Sequence, residues 1–359
     1  MTLKIAIIGM GIAGRYLAAR IADRHEVVGF EAQQSDDFYP ICAWGTSINE
    51  MRGLSKRVGL NFDDYVFHVG REILVDLDRE ILSIKAKGLC TFDKLRFEKD
   101  LSKNTEIKFG SKILSPPNGY DIIVDATGVA RSLLPKPMRQ YFIPTMQYRV
   151  KCKDPPFDDF YIKPFDGLSG YLWYFPLGEH EFHIGAGDYH GRHVNFLNSF
   201  IRKCRGEILR MDAKPVRIAP PHFCRPIRQG KIVGIGEAIG TVYPMLGEGI
   251  IPSIWSAEIL ANKLEDLNEY ERSILKMFKP FTMIFAFIEK LLKGSFLVKR
   301  DWHLIFKIYL HMKFKEERYG VECHLKDFLK VLKNKFYSAS SQLSSTSRGD
   351  CMLPKTMGS

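Results

Sequence analysis

The chain has 359 residues, with 52 Lys and Arg against 41 Asp and Glu, a net charge of +11, and a length that suggests about two domains. Hydrophobic residues make up 45% and charged residues 26%, which excludes wholesale disorder and allows a large core without disulfides or a structural metal. The seven cysteines lie far apart and form no C-x-x-C pair, so reduced thiols are expected rather than a zinc ribbon or a disulfide framework.

The first segment reads strand, glycine turn, helix, strand. Lys4 to Gly9 is an apolar run of strand length. Arg15 to Arg24 carries Leu17, Ala18, Ile21 and Ala22 on one helical face, and Glu26 to Phe30 is a second apolar run. Together they open a βαβ unit. Between the first strand and the helix, Gly9-Met10-Gly11-Ile12-Ala13-Gly14 matches G-x-G-x-x-G. The first glycine makes the tight turn, the second lets backbone approach a pyrophosphate, and the third lets helix and strand pack closely. The helix N-terminus adds N–H groups and a partial positive charge. Glu31, followed by Ala32, ends the second strand 17 residues after Gly14, where a carboxylate accepts hydrogen bonds from ribose hydroxyls and repels a 2′-phosphate.

Residues 63–90 look like hairpin material with a turn near Asp76-Leu77-Asp78, and Asp93 to Leu101 has helical spacing. Tyr120 to Val124 is a short buried strand that runs on into Thr127 and Gly128. From about Pro135 to Pro226, prolines, aromatics and alternating patterns accumulate, which predicts a mostly antiparallel sheet. Within it, period two sends Tyr171, Trp173 and Phe175 one way and Leu172 and Tyr174 the other. Lys231 to Gly236 returns to a parallel-type strand ending at Gly236-Glu237. A loop through Pro244, Gly247 and Gly249-Ile250 then leads into a helix reaching Leu264. Residues 265–336 are helical in pattern, with Phe328, Leu332 and Phe336 on one face and Lys330, Lys333 and Lys335 pointing elsewhere. The Ser-rich stretch 337–359 is expected to be a disordered tail.

The glycine motif alone fits NAD or FAD. With the Ala126-Thr127-Gly128 and Gly236-Glu237-Ala238 strand ends in this order, the chain resembles FAD-dependent oxidoreductases of the hydroxylase fold. More narrowly, it resembles the archaeal geranylgeranyl reductase family. Gly170 to Gly178 matches that family's Y-x-W-x-F-P-x-G motif, and Asp93 to Phe97 resembles its Asp-Arg-x-x-Phe motif, with Lys94 in place of Arg. Glu237 stands where the family has Asp. Pro40-Ile41-Cys42-Ala43 resembles the Pro-x-Cys-Gly/Ala segment placed beside the flavin.

The resemblance implies an α/β fold with a Rossmann-type FAD-binding domain assembled from 1–62, 90–132 and 228–264. An inserted antiparallel β-sheet substrate domain (63–89 and 133–227) and a C-terminal helical region (265–336) complete it. It implies FAD held by Gly9, Gly11, Ile12, Ala13, Gly14, Glu31, Ala32, Ala43, Thr127, Gly128, Gly236, Glu237, Gly247, Gly249 and Ile250. The helix N-terminus after Gly249 would face the flavin. It further implies a prenyl-lipid substrate lined by Tyr171, Trp173 and Phe175, with a hydride from reduced flavin to one carbon of a C=C bond and a proton to the other from an acid or an ordered water, Cys42 serving as proton donor or as an orienting group. The electron donor would be NAD(P)H or a ferredoxin-like protein. A prenylquinone side-chain reductase, a flavin monooxygenase or halogenase, and a redox-inert flavoprotein that carries prenyl lipid remain alternatives.

No apolar run approaches the roughly 18 residues of a membrane span; Phe281 to Ile288 is too short. A cytoplasmic protein is expected, with peripheral membrane contact as an option. In the C-terminal region Lys290, Lys293, Lys299, Arg300, Lys307, Lys313 and Lys315 interleave with Phe296, Trp302, Phe306, Tyr309 and Phe314. That pattern fits either a solvated face over a core or docking on anionic lipid. Charge alone, with no motif, gives no nucleic-acid site. His180, His183, His190 and His193 lie close in sequence, but the first two fall on opposite strand faces and the others flank a turn, so no metal is expected. No G-x-S-x-G elbow supports Ser/His/Asp catalysis.

Overall fold

A computed structural model of the chain describes residues 2–137 and 139–346, with side chains through 336. The chain begins with β1 (Lys4–Ile8), α1 (Ile12–Ile21) and β2 (Glu26–Phe30), the parallel βαβ unit that the apolar spacing predicts. The segment that follows gives β3 (Gly45–Ser47), α2 (Ile48–Lys56), β4 (Val66–Val69), the hairpin β5 (Glu72–Asp76) and β6 (Ile81–Lys85), and β7 (Leu89–Phe92). Next come α3 (Lys94–Leu101), β8 (Glu106–Lys108) and β9 (Ile122–Asp125). Asp93 starts α3 by accepting a hydrogen bond from the Arg96 N–H at 2.9 Å, an N-cap that the Asp93-to-Leu101 spacing leaves room for.

The antiparallel region contributes β10 (Phe142–Ile143), β11 (Thr145–Lys151), β12 (Phe160–Pro164), β13 (Gly170–Gly178), β14 (Glu181–Asp188), α4 (His193–Cys204), β15 (Glu207–Ala213) and β16 (Val216–Arg217). Then β17 (Arg228–Gln229) and β18 (Ile232–Gly234) lead into α5 (Ile250–Ala261), and α6 (Leu267–Met277), α7 (Lys279–Leu292), α8 (Val298–Lys313), α9 (Glu316–Tyr319) and α10 (Leu325–Thr346) follow.

Two main sheets organise these elements. One is six-stranded in the order β17-β18-β9-β1-β2-β8, parallel except at β17. Its central strands are buried on both faces, as apolar runs without alternation require. The other is seven-stranded in the order β15-β11-β14-β13-β12-β5-β6, antiparallel except where β12 meets β5. β4 leaves the 63–90 stretch to pair with β7, which also pairs with β3, so that stretch feeds two sheets rather than one hairpin.

The helix-to-helix seam beside the parallel sheet is closed by one buried carboxylate. Glu258 on α5 accepts the Tyr16 hydroxyl of α1 at 2.8 Å, pairs with Arg57 at 3.0 Å and also pairs with Arg20. Burial works against its charge, but these donors win and hold its pKa below the usual carboxylate value.

The backbone of α10 stays helical to Thr346, ten residues into the stretch read as a disordered tail, while 347–359 lie outside the described residues. Serine disfavours a helix only mildly, so a helix already nucleated upstream propagates through it. Lys335, read as pointing away from the apolar face of its helix, is buried and its ammonium reaches Asp78 in the β5–β6 turn. Its long apolar stem follows the packed face while the charge finds a partner.

Candidate functional site

The three glycines of the first motif sit in three different environments. Gly9 turns with φ of 93°, and a Cβ there would stand 2.5 Å from the Ala126 carbonyl oxygen. A Cβ on Gly14 would collide with the Gly9 carbonyl oxygen and crowd Ile7, so α1 packs against β1 only because the side chain is absent. Gly11 is the opposite case: a Cβ there meets nothing within 4 Å. Gly11 is also the N-cap of α1 and brings no capping side chain. The first-turn N–H groups, with Ile12 half-buried and Ala13 buried beside them, therefore face open space with a partial positive charge. Glu31 is buried at the end of β2. Its Oε2 accepts the Met10 N–H at 2.9 Å and its Oε1 the Gln33 N–H at 3.0 Å, which leaves each oxygen a further lone pair; Ala32 next to it is exposed.

The second and third motifs close on the first. A Cβ on Gly9 would also lie 2.9 Å from the Thr127 Cα, and one on Gly236 would lie 3.0 Å from Ala13. Gly128 and Gly236 both have positive φ, 63° and 64°. The Thr127 hydroxyl is spent on structure: it donates to Asp125 at 2.6 Å and accepts the Ser132 N–H at 2.9 Å. Asp125, fully buried, also accepts the N–H groups of Leu133 and Leu134 at 2.9 and 3.0 Å. Glu237 accepts the Arg217 N–H at 2.9 Å and lies 3.5 Å from the Lys214 ammonium, beside Gly128. The loop from Thr241 folds back through the 2.9 Å bond from the Gly247 N–H to the Tyr243 carbonyl. It delivers Gly249 as the N-cap of α5, with Ile250 buried behind it. Glu248 caps the helix from the side by accepting the Ile251 N–H at 3.0 Å, and Arg318 of α9 pairs with it.

The aromatic strand β13 has the two faces that its period predicts. Leu172 and Tyr174 are buried in the core of the antiparallel sheet, whereas Tyr171, Trp173 and Phe175 point the other way and keep accessible surface. Tyr171 donates its hydroxyl to the Leu246 carbonyl of the 241–250 loop. Trp173 donates to Gln147 at 3.2 Å, and Gln147 donates to the Cys42 carbonyl at 3.1 Å. A Cβ on Gly45 would lie 2.5 Å from the Phe175 ring. Cys42 and Tyr171 are both half-buried, and each keeps part of its surface open. Burial pushes the Cys42 thiol up from its ordinary pKa, partly offset by the charge of Lys94 and by the Trp44 N–H, 3.4 Å from Sγ. Lys94 is itself buried and paired with Glu98, so the single ammonium serves as a point charge where a guanidinium fork would bind in two places.

Gln147 and Lys214 carry no motif and escape sequence reading; they reach the site through β11 and the end of β15. Tyr39, Trp44 and His183 form a unit that no local pattern announces. Trp44 follows Ala43 with φ of 61°, a strained conformation for a bulky residue. It is held by its indole N–H on the Pro40 carbonyl at 2.9 Å and by the His183 ring at 4.8 Å. His183 in turn meets the Tyr39 hydroxyl at 3.1 Å, so β14 clamps both ends of the loop that carries Cys42. The four histidines do not converge: among the described residues no group of His, Cys, Asp and Glu is placed to hold a metal ion.

This clamp has a pH signature. Burial lowers the His183 pKa from 6.5 to about 3. The folded protein refuses a proton that the unfolded chain accepts below 6.5, so stability is full above that pH and falls toward about 3. Denaturant titrations at pH 7 and pH 5 should show about 2 kcal/mol of loss from this group. His183→Phe should lack that share of the loss; an identical pH dependence in the variant would refute the assignment.

No family model matches the chain. It is 25% identical over 341 residues to an uncharacterized protein of Methanocaldococcus jannaschii, covering 80% of this chain and 90% of that one. It is 32% identical over 113 residues to a digeranylgeranylglycerophospholipid reductase of Methanocella arvoryzae, a match spanning 29% of this chain and 28% of the relative. Among solved structures it resembles a geranylgeranyl bacteriochlorophyll reductase-like protein of Thermoplasma acidophilum, with a TM-score of 0.70, 17% identity, and 96% and 99% of the two chains covered. It also resembles a probable FAD-dependent monooxygenase of Pseudomonas aeruginosa, with a TM-score of 0.60, 15% identity, and 81% and 97% covered. The chain therefore has the fold of FAD-dependent oxidoreductases, and the open space at Gly11, the uncapped start of α1 and the buried Glu31 fit FAD.

Proposed function

We propose that the chain binds FAD and uses it to saturate C=C bonds in prenyl chains of the geranylgeranyl type on lipid precursors. The observation that carries this reading is the outward face of β13, whose Tyr171 and Trp173 keep open surface while they are bonded to the 241–250 loop and toward Cys42. An apolar wall there suits an oily substrate, since each buried CH₂ contributes about 0.8 kcal/mol and a few isoprene units give ample binding. The partial match to the archaeal lipid reductase and the likeness in fold to the reductase-like protein support the same substrate class.

When bound and reduced, FAD supplies a hydride for one carbon of the alkene. The protein's own residues do the rest. The β13 face and the Cys42 loop fix the position of the alkene, and positioning supplies much of the rate. Burial keeps the Cys42 thiol protonated at neutral pH, so Sγ–H gives its proton to the second alkene carbon. The thiolate left behind is met by the Trp44 N–H and by the charges of Lys94 and Lys214, and it regains a proton from water.

Photoreduced holoprotein mixed with a geranylgeranyl lipid without air should yield a product heavier by two hydrogens per double bond, read by mass spectrometry. Unchanged lipid beside a fully reduced flavin would overturn the reading. Oxygen-dependent insertion of an oxygen atom would replace it with a monooxygenase.

A further inference from the structure

The helix α8 has two apolar faces. Asp301, Ile305, Ile308 and Met312 recur at helical spacing and are buried against the body of the protein. On another face, Val298, Trp302, Phe306 and Tyr309 also recur at helical spacing, and here Trp302 is 60% and Phe306 43% exposed. Leu297 just before the helix and Phe314 just after it are exposed as well. Phe296, from the same basic and aromatic stretch, turns inward and packs on Phe287 and Phe336, so the outward set is not merely the rim of a core. Single exposed apolar residues are ordinary, but a row of them on one helix face is not.

The charges on this helix are one-sided. Lys299, Arg300 and Lys307 are exposed. The single acid of α8, Asp301, is buried, and its carboxylate is matched by Lys290 at 2.6 Å and Arg300 at 2.8 Å. The outward face thus offers large apolar side chains edged by cations, with no exposed carboxylate of its own.

We propose that this face of α8, with Leu297 and Phe314 at its ends, docks the protein onto an anionic lipid bilayer. Trp302 suits a membrane interface, where the ring body enters the acyl boundary and the indole N–H stays with the headgroups. Lys299 and Lys307 lie at the depth of lipid phosphates, and the net charge of +11 adds longer-range attraction. A second copy of this chain is a poorer occupant, because a two-fold contact would set those lysines against their own counterparts. Among the described residues no helix is long and apolar enough to cross a membrane, so the contact is peripheral. The inner side of α8 carries His311, which stacks on Tyr243 at 6.3 Å and meets Tyr319 at 2.9 Å, so the docking face lies one helix away from the 241–250 loop.

The test is sedimentation of the full chain with vesicles of phosphatidylcholine alone or mixed with phosphatidylglycerol. Binding is expected to the anionic vesicles, to weaken as salt rises, and to blue-shift the tryptophan emission. Trp302→Glu combined with Phe306→Glu should weaken it roughly tenfold or more. Lys299→Glu combined with Lys307→Glu should weaken it to a similar degree on anionic vesicles only. All four side chains are exposed, so circular dichroism and melting should match the wild type and exclude misfolding as the cause. No sedimentation, equal partitioning into neutral and anionic vesicles, or unchanged binding by the Trp302/Phe306 variant would overturn the proposal. So would a solution dimer that the same variant dissociates, which would give the face to a second copy.

Discussion

Replacing Gly11 with valine is expected to lower the affinity for FAD by at least roughly 100-fold, about 3 kcal/mol, while leaving the fold intact. Gly11 has φ of −81° and ψ of −167°, which any residue adopts, and a Cβ meets nothing within 4 Å. The added methyl groups enter the space in front of the α1 N-terminus, where a pyrophosphate would draw close to backbone N–H groups. Gly14→Ala, three residues on, should fail differently. Its methyl group collides with the Gly9 carbonyl, α1 must move off β1, and the melting temperature should fall before any ligand is added. The measurement is a titration of apoprotein with FAD, followed by flavin fluorescence, beside thermal melts of both variants. A Gly11→Val protein that binds FAD as the wild type does would mean that the dinucleotide does not approach this turn.

That contrast separates what a local sequence pattern dictates from what only the fold brings together. The glycine turn, the βαβ unit and the two faces of β13 are legible because each is a local rule: a steric requirement, a period of 3.6 or a period of two. The α/β class and its antiparallel insertion follow from the same periodicities. What escapes is long-range convergence. Tyr171 finds the Leu246 carbonyl 75 residues away, and Gln147 finds the Cys42 carbonyl 105 residues away, with nothing in the local pattern to announce either bond. Lys335 reads only as lying off the apolar face of its helix, and it is buried where Asp78, 257 residues earlier, sits opposite. The strained Trp44 is invisible for a similar reason. A residue with φ of 61° persists only where its surroundings over-determine it, and those surroundings are Pro40 and the His183 ring on a distant strand.

Cys42→Ala should leave FAD affinity unchanged and slow lipid reduction by about 100- to 1,000-fold, the usual range for loss of a positioned proton donor. The side chain carries no fold-wide load: its Sγ accepts one N–H from Trp44, and the bond from Gln147 goes to its carbonyl, which alanine retains. Cys42→Ser separates position from acidity. A hydroxyl fills the same place with a much higher pKa, so it should recover only a small part of the rate. The pH profile gives a second readout. The donor form of the thiol exists below its pKa, and burial raises that pKa from 9.0. The wild-type rate should therefore stay level through pH 8 and fall only at higher pH, as the thiol ionises. A rate that climbs with pH across the same interval would show that the thiolate is the active form, and would transfer the proton-donating role to another group. In the alanine variant the alkaline fall assigned to Cys42 should disappear, because the slow residual reaction then takes its proton from water. If Cys42→Ala instead reduced lipid at the wild-type rate, Cys42 would be only a packing residue of its loop, and the Trp44–His183 clamp would have no bearing on proton transfer.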